Sequence, residues 1–126
     1  MKILDNLLYT ESHEWVKVDG ENALIGISDF AQHELGDIVF VEVDTVGESM
    51  SKGETFGTIE AVKTVSDMYL PISGEILEFN ALIESNPETI NKDPYGDGWV
   101  IKVKMTNTAE LDSLMKADAY KAHVNA

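Results

Sequence analysis

The chain has 126 residues, the size of one ordinary domain, and 44% of them are hydrophobic, so a compact core rather than disorder is expected. Its formal charge of −14 comes from 23 acidic residues against nine lysines without any arginine, which argues against nucleic-acid binding because such proteins neutralise phosphates with basic side chains. The chain has no cysteine, which excludes disulfides, thiolate catalysis and cysteine-ligated zinc, so any sulfur redox chemistry must come from a cofactor.

The first residues, MKILDNLLYT, form only a very short apolar run that Asp5 and Asn6 interrupt. This pattern matches neither a secretory signal nor a membrane span. We therefore expect a cytoplasmic protein that does not enter a membrane, with an organelle matrix as the alternative compartment.

The N-terminal part of the chain predicts a β-hairpin. Two extended runs, 13–18 and 22–27, are joined across Asp19 and Gly20, a pair suited to a tight turn. Trp15 lies in the first run, and a tryptophan in a short strand is usually a core residue. We therefore expect Trp15 to be buried.

A short helix and a further strand are expected next. Asp29 can cap a helix at 30–35, with Gln32 at the reciprocal capping position. Gly36 should end this helix. The strand that follows, 38–43, should direct its alternating valines toward one face, and these are Val39, Val41 and Val43.

The stretch from Gly53 to Gly74, GETFGTIEAVKTVSDMYLPISG, predicts a second hairpin. Segments 55–62 and 64–70 are rich in β-branched and aromatic residues, which fit a pleated and half-buried surface. Lys63 stands at the bend and is the only lysine of the stretch. An amine that another enzyme acylates must be exposed, unpaired and rigidly held, and this position meets those needs, although most surface lysines at turns have no such role.

The C-terminal part should contain two strands, 75–79 and 99–105, separated by a segment at 80–98 that is rich in Pro, Asn and Gly and mainly loop. A helical segment at about 108–124 should follow, with Asn107 as its first cap. The buried stripe of this segment is expected to be Leu111, Leu114 and Met115.

These elements indicate one domain, 1–126, of mainly β structure. Many short strands at this spacing, with small helices and without a linker, are typical of a sandwich or flattened barrel. The expected architecture is a flattened β-barrel and sandwich hybrid with a short internal helix and C-terminal helices.

The sequence gives no independent case for an enzyme. Its histidines are scattered without metal-binding spacing, and they are His13, His33 and His123. The segment from Gly26 to Phe30 departs from the nucleophile-elbow pattern because Phe replaces the final Gly. Phosphate-binding and dinucleotide-binding fingerprints are also missing from the sequence.

Several motifs carry a family resemblance, and they span nearly the whole chain. They are Ser12-His-Glu-Trp15, Gly26-Ile-Ser-Asp-Phe-Ala-Gln32, Leu35-Gly-Asp-Ile-Val-Phe-Val-Glu42, Gly57-Thr-Ile-Glu-Ala-Val-Lys63-Thr-Val-Ser-Asp67, Pro71-Ile-Ser-Gly74 and Asn91-Lys-Asp-Pro-Tyr-Gly-Asp-Gly-Trp99. Together they resemble the lipoyl-carrying H proteins of the glycine cleavage system. Biotin carriers generally have Met on both sides of the modified lysine, and lipoyl domains of 2-oxoacid dehydrogenases usually have Asp-Lys-Ala, whereas this chain has Val-Lys63-Thr.

The resemblance implies a fold of the biotinyl/lipoyl-carrier type and a carrier without catalytic activity. A lipoyl-ligating enzyme would join lipoate to Lys63 through an amide. In that family glycine decarboxylase (P protein) loads an aminomethyl group, aminomethyltransferase (T protein) passes the one-carbon unit to tetrahydrofolate, and dihydrolipoyl dehydrogenase (L protein) reoxidises the dithiol. We expect a monomer that works with these enzymes, neither with nucleic acid nor with a membrane.

A shelter for the loaded arm is a further expectation, because the aminomethyl group ends in an ammonium and decomposes when water reaches it. An ammonium needs a carboxylate and hydroxyl partners. We expect Glu14 to receive it, helped by Ser12, with Asp67 as a further candidate. The alternative is that all three are ordinary exposed polar residues at strand ends.

Two other functions stay open from the sequence. A related module could receive lipoate and serve other complexes, and binding to glycine decarboxylase would separate this alternative from the first. An enzyme is the third possibility and would require activity from the isolated chain. The acidic surface fits solubility, steering toward basic partner surfaces, or both.

Overall fold

The computed structural model describes residues 1–125, which contain nine strands, four α-helices and one 3-10 helix. Ala126, the last residue of the domain predicted at 1–126, lies outside the described residues. In chain order the elements are β1 (Leu8–Tyr9), β2 (Glu14–Asp19), β3 (Asn22–Ile27), α1 (Asp29–Leu35), β4 (Ile38–Glu42), β5 (Ser49–Met50), β6 (Thr55–Ala61), β7 (Val65–Tyr69), β8 (Gly74–Phe79), α2 (Ala81–Ser85), α3 (Thr89–Lys92), β9 (Ile101–Met105), the 3-10 helix (Thr108–Ser113) and α4 (Ala117–Val124).

Two antiparallel sheets form the body of the molecule. The six-stranded sheet has the order β1-β2-β3-β9-β8-β5, and the three-stranded sheet has the order β4-β6-β7. The sheets do not close into a barrel. The expectation of a mainly β fold with a short internal helix and C-terminal helices is confirmed. The two predicted hairpins are formed by β2 with β3 and by β6 with β7.

The main core contains buried side chains from both sheets. Ile25 and Val103 come from the larger sheet, and Ile59 and Met68 come from the smaller one. Each is almost completely removed from water, and full burial of a side chain of this size contributes roughly 1.5–3 kcal/mol to folding. The hydrophobic effect therefore holds the small sheet that carries Lys63 against the large one.

A second apolar cluster fastens the C-terminal helix to the N-terminal strands. The rings of Tyr9 and Tyr120 stack with centroids 4.4 Å apart and planes 4° from parallel. Trp15 is buried in this cluster, as expected, and its indole Nε1 donates a hydrogen bond to the Pro94 carbonyl at 3.0 Å. The backbones of Tyr9 and Met115 exchange two hydrogen bonds, each of 2.8 Å.

Helix α1 is capped by Ser28, so the prediction that Asp29 is the cap is wrong. Ser28 has an extended backbone, and its Oγ accepts a hydrogen bond of 3.1 Å from the Ala31 amide. Asp29 is already in the helix, and its carboxylate instead accepts a 2.8 Å hydrogen bond from Gln32 Nε2. The predicted end at Gly36 is confirmed, since its amide donates to the Gln32 carbonyl at 2.9 Å and its φ is 78°.

Strand β4 does not show the predicted alternation of valines. Val41 is buried as expected, but Val39 and Phe40 are both exposed. The reason is a β-bulge, because the register against β6 shifts between Ile38 and Phe40. An extra residue in one strand breaks the period of two and turns consecutive side chains to the same side.

The segment 80–98 is more ordered than a loop, because it contains α2 and α3. Asn80 caps α2 by accepting a 3.0 Å hydrogen bond from the Leu82 amide. Its side-chain amide also donates to the carbonyls of Asp97 and Trp99, both at 2.8 Å, so one buried residue holds both ends of the segment. The strand predicted at 99–105 begins only at Ile101, as β9, and Val100 before it is buried.

The C-terminal segment begins with a 3-10 helix rather than an α-helix. Asn107 makes no side-chain capping bond there, and Glu110 instead accepts hydrogen bonds of 2.7 Å and 2.9 Å from the Ser73 amide and hydroxyl. The side chains that were expected to form the buried stripe of this segment are only half-buried, namely Leu111, Leu114 and Met115. The final helix is confirmed as α4. Within residues 1–125, none of the helices has the length and apolar character needed to cross a membrane.

The capping assignment can be tested by stability measurements. Ser28→Ala removes the α1 cap and the 2.7 Å hydrogen bond between Ser28 Oγ and the Tyr120 hydroxyl. We expect the free energy of unfolding in urea to fall by about 1–2 kcal/mol. Asp29→Ala, which removes the side-chain acceptor, should cost clearly less. A larger loss for Asp29→Ala would restore Asp29 as the cap.

Candidate functional site

Lys63 lies at the tip of the β6–β7 hairpin. The strands pair in register as far as Glu60 and Val65, and the Ala61 amide donates to the Thr64 carbonyl at 2.8 Å. Only Val62 and Lys63 are left to form the turn, and both are exposed. The structure therefore places Lys63 at the bend of the hairpin, as predicted.

The tip is fastened to the loop between α1 and β4. The Val62 amide donates a 3.0 Å hydrogen bond to the Asp37 carbonyl. The aliphatic stem of Lys63 lies over Gly36, where a β-carbon would be 3.2 Å from Lys63 Cε and 3.7 Å from Nζ. The positive φ of 78° favours glycine at position 36, and a β-carbon there would also displace the end of the Lys63 side chain slightly.

Asn91 in turn holds that loop. Its Nδ2 donates to the Gly36 carbonyl at 2.9 Å and to Gln32 Oε1 at 3.0 Å. Its Oδ1 accepts a 3.0 Å hydrogen bond from the Ile38 amide. One side chain thus joins the end of α1 to the start of β4, directly beneath Lys63. The sequence showed Asn91 only as the first residue of a family motif, in a segment expected to be mainly loop, and nothing in it pointed to these long-range contacts.

A cleft of about 340 Å³ is formed by residues of α1, β2 and the β6–β7 hairpin. Leu35, which precedes Gly36, lies in its wall together with residues from β2, β6 and β7. Most of the lining is apolar, and carboxylates lie among it. The lining residues used below are Ser12, Glu14, Phe30, Leu35, Ile59 and Asp67.

Glu14 is the buried charge of the cleft, with only 2% of its surface exposed. Its Oε1 accepts hydrogen bonds from Ser12 Oγ at 2.6 Å and from Thr10 Oγ1 at 2.7 Å, and Oε2 accepts one from the Tyr69 amide at 3.2 Å. Burial raises the pKa of the carboxyl, while the hydrogen bonds from Ser12 and Thr10 act in the opposite direction. Glu14 is therefore not the exposed strand-end residue of the alternative interpretation.

The structure brings Ser12 and Glu14 together, and it places Asp67 in the same cleft without direct contact with them. Asp67 lies opposite Thr58 on the edge strand β7 and is exposed. Among residues 1–125, its carboxylate accepts no hydrogen bond. Sequence reasoning missed Thr10, whose hydroxyl could have been suspected from its distance of four residues to Glu14.

His13 connects the cleft to the C-terminal helix. Its Nδ1 is hydrogen-bonded to the Tyr120 hydroxyl at 2.8 Å, and its ring lies 4.8 Å from that of Phe30. Burial lowers the pKa of His13, and the neighbouring His123 acts in the same direction. In the described part of the chain, no group of three or more His, Asp or Glu side chains is arranged to hold a metal ion.

The family model described as "Glycine cleavage H-protein" matches residues 7–126. The chain belongs to this family. The glycine cleavage system H protein of Bacteroides fragilis is 55% identical to it over 126 residues, with 100% of each chain covered. That of Bacteroides thetaiotaomicron is 57% identical over 125 residues, with 99% of each chain covered.

A solved structure gives the same result for the fold. The crystal structure of a glycine cleavage system H protein from Mycobacterium marinum superimposes with a TM-score of 0.90 at 38% sequence identity, covering 98% of this chain and 100% of that one. The resemblance stated from the motifs and the predicted fold class are thereby confirmed. The family is the lipoyl carrier of the glycine cleavage system, so the Lys63 tip and the cleft are the candidate carrier site.

The contact between Lys63 and Gly36 leads to a test with a matched control. Gly36→Ala adds a β-carbon against the Lys63 stem, whereas Gly47→Ala adds one at a φ of 93° with no atom within 4 Å. Both changes should cost about 1 kcal/mol of stability because of the positive φ. Only Gly36→Ala should remove the NMR cross-relaxation between the Lys63 ε-methylene and the residue 36 backbone. An unchanged signal would mean that the stem does not rest there.

Proposed function

We propose that this chain, as one lipoyl-carrier domain at 1–126, carries lipoate as an amide on Lys63 Nζ and shuttles the aminomethyl group of glycine. It does so without catalytic activity of its own. The single observation that carries the proposal is the exposed amine of Lys63, held at a fastened two-residue tip beside a cleft with a buried carboxylate, in a chain of this family.

The proposed partners follow from the family. They are glycine decarboxylase (P protein), which loads the arm, aminomethyltransferase (T protein), which unloads it, dihydrolipoyl dehydrogenase (L protein), which reoxidises it, and the lipoyl-ligating enzyme. The proposal keeps the expectation of a cytoplasmic monomer. Tethering supports the role because a group held on a short arm meets each enzyme at a high effective concentration. The charge of −14 favours partners with basic surfaces.

The residues of the tip and the cleft fit a lipoyl group. The cofactor supplies the dithiol chemistry that a chain without cysteine lacks. An exposed amine is available for the amide, and the Lys63 stem lies against Gly36, which follows the cleft residue Leu35 in the chain. The apolar walls at Phe30 and Ile59 suit a hydrocarbon arm, because contact removes apolar surface of both the arm and the walls from water.

Glu14 is proposed as the group that receives an ammonium at the end of the loaded arm. A carboxylate offers about four acceptor positions, and the three hydrogen bonds from Ser12, Thr10 and Tyr69 leave one on Oε2. Ser12 acts by holding the carboxylate in place. Asp67 is proposed as a second negative charge at the cleft edge, which disfavours release of the cation.

A second cavity of about 300 Å³ is also lined by Glu14. Lys52 and Ser113 form part of its walls, and none of its lining residues adjoins the Lys63 tip. A cation near Lys52 would also meet repulsion. The cleft that Leu35 lines is therefore the proposed path of the arm, since Leu35 directly precedes Gly36, against which the Lys63 stem lies.

Lys63 should be the sole acceptor of lipoate. Incubation with a lipoyl ligase and peptide mass mapping should place the added mass on Lys63 only. Lys63→Arg keeps the charge but cannot form the same amide, so this variant should stay unmodified, while Lys52→Arg should be modified at the wild-type rate. Lipoylation of Lys63→Arg to the wild-type extent would contradict the proposal.

Loss of the Glu14 carboxylate should expose the loaded arm to water. Glu14→Ala should speed the release of ammonia and formaldehyde severalfold from loaded protein without partner enzymes, while lipoylation of Lys63 is unchanged. The matched control is Glu11→Ala, which removes the same charge three residues earlier, from a side chain that lines only the second of the two cavities. Equal release rates in Glu14→Ala and wild type would remove Glu14 from the proposal.

The same site should respond to pH. Because burial raises the Glu14 pKa, the carboxyl becomes neutral at a higher pH than an ordinary glutamate as the solution is acidified. Retention of the ammonium should therefore weaken as pH falls through that raised pKa and be fully present above it. Glu14→Gln lacks the titration, so the ratio of its release rate to that of wild type should approach one at low pH. A ratio independent of pH would contradict the assignment.

A further inference from the structure

The hydroxyl of Tyr120 joins three parts of the molecule at one buried point. Tyr120 lies on α4, and its hydroxyl oxygen is 2.8 Å from His13 Nδ1 and 2.7 Å from Ser28 Oγ. Ser28 caps α1. His13 lies in the turn between Thr10 and Glu14, which leads into β2 and is closed by a 3.0 Å hydrogen bond from the Thr10 amide to the Glu14 carbonyl. One side chain of the C-terminal helix thus contacts both the turn and the start of α1.

The hydrogen atoms in this chain of bonds have a single direction. Ser28 is completely buried, and its Oγ already accepts the Ala31 amide. Among residues 1–125, the Tyr120 oxygen is the only acceptor that the Ser28 hydroxyl contacts. Burial raises the pKa of Tyr120 to about 12, so this oxygen keeps its own hydrogen and donates it to His13 Nδ1. His13 is therefore the neutral imidazole with Nδ1 as the acceptor.

The two partners of the Tyr120 hydroxyl belong to different parts of the cleft wall. His13 lines the cleft itself and directly precedes Glu14. Ser28 sets the start of α1, whose first turn contributes Phe30 to the lining. The hydroxyl therefore links the turn that presents the buried carboxylate to the helix that presents an apolar wall.

The turn before β2 needs support because its backbone is strained. His13 has a φ of 77°, in a region that residues other than glycine rarely adopt. Such a conformation persists only where the surrounding structure fixes it, and it is enriched at ligand sites. Helix α4 contacts the turn a second time, since His123 Nε2 lies 3.1 Å from the Glu11 carbonyl oxygen. The contacts from α4 therefore hold this turn in its strained form.

The charge of His13 matters because the residue adjoins Glu14. Burial lowers the pKa of His13, and His123 acts in the same direction, whereas Glu34 raises it. A protonated imidazole would be a second cation near the carboxylate that is proposed to receive the ammonium, and it would weaken that attraction. The titratable groups that face His13 are His123 and Tyr120 from α4, Glu34 from α1, and Glu14 and Asp67 in the cleft.

We propose that Tyr120 is a positioning residue for the cleft: its hydroxyl holds the turn before Glu14 against α1 and keeps His13 Nδ1 an acceptor. This inference rests on the proposed function and adds a residue to it. Tyr120 is not among the residues that line the cleft, so it acts through His13 and Ser28 rather than by contact with the arm. Removal of its hydroxyl should loosen the turn and let His13 become charged beside Glu14.

The first measurement is an NMR titration of the imidazoles in the full chain without lipoate. Tyr120→Phe removes the hydroxyl and keeps the ring that stacks on Tyr9, so the variant should fold. Because the neutral imidazole loses its donor, the pKa of His13 should rise toward its ordinary value. The matched control is Tyr9→Phe, which removes the hydroxyl of the other stacked ring, bonded to the Leu4 backbone. This control should leave the pKa of His13 at its wild-type value.

The second measurement is the release of ammonia and formaldehyde from loaded protein without partner enzymes. Tyr120→Phe should release them severalfold faster than wild type. The ratio of the two rates should be largest between the His13 pKa values of the two proteins, where the imidazole is protonated mainly in the variant. His13→Asn tolerates the positive φ, still offers an acceptor to Tyr120 and cannot gain this charge. In the His13→Asn background, the effect of Tyr120→Phe should be the same at every pH.

These measurements separate positioning from a general loss of structure. An unchanged pKa of His13 in Tyr120→Phe, or release at the wild-type rate, would overturn the proposal. Equal acceleration by Tyr9→Phe would also overturn it, since the loss would then come from weaker packing of α4. A ratio that still depends on pH in the His13→Asn background would overturn the role of His13. Failure of the wild type to accept lipoate would instead overturn the proposed function, whereas the titration of His13 needs no lipoate.

Discussion

The tip of the β6–β7 hairpin is attached to the body of the molecule by one backbone hydrogen bond, which the Val62 amide donates to the Asp37 carbonyl. A two-residue turn that only its own strands supported would move relative to the rest of the fold. Here Asp37 belongs to a loop that Asn91 holds from α3 with three hydrogen bonds. The position of Lys63 is thereby set relative to α1, and α1 forms a wall of the cleft.

Glu14 shows how the fold keeps a charge available inside a largely apolar cleft. An isolated buried carboxylate would be costly and would become protonated. Hydrogen bonds from Ser12, Thr10 and Tyr69 offset part of that cost without adding a positive charge. A salt bridge to a lysine would have offset more, but it would also have cancelled the attraction for a cation. Partial compensation leaves the carboxylate with one acceptor position, which the proposed function assigns to an ammonium.

The sequence was sufficient for features that depend on local chemistry. The β6–β7 arms are β-branched, the turn contains Lys63, and the motifs around it identify the family, so hairpin and tip were predictable. The cap of α1 was misassigned because Ser28 and Asp29 are both good capping residues and only the backbone decides between them. The exposure of Phe40 could not be predicted, since it results from a bulge set by pairing with β6.

The candidate site likewise has residues that the sequence indicated and contacts that only the structure shows. Lys63 and Glu14 were named from the sequence, because an isolated amine and a motif acid are visible there. The hydrogen bonds of Asn91 and the hydrogen bond from the Tyr69 amide could not be predicted from the sequence, because they join residues 53 or more positions apart. Backbone amides also carry no signature in the side-chain pattern. Tertiary contacts, rather than residue types, therefore determine how the named residues work together.

The register of the β6–β7 hairpin decides which of its side chains face the cleft. Alternation along the strands turns Ile59 and Ser66 toward the cleft, while Glu60 and Val65 lie on the outer face. A slip of one residue would exchange the two sets, since side chains alternate with a period of two. The irregularity at the tip end of this sheet is confined to β4, and β6 and β7 pair regularly from Gly57 to Glu60. The bulge therefore adds apolar surface outside without disturbing the inner face on which an arm is expected to lie.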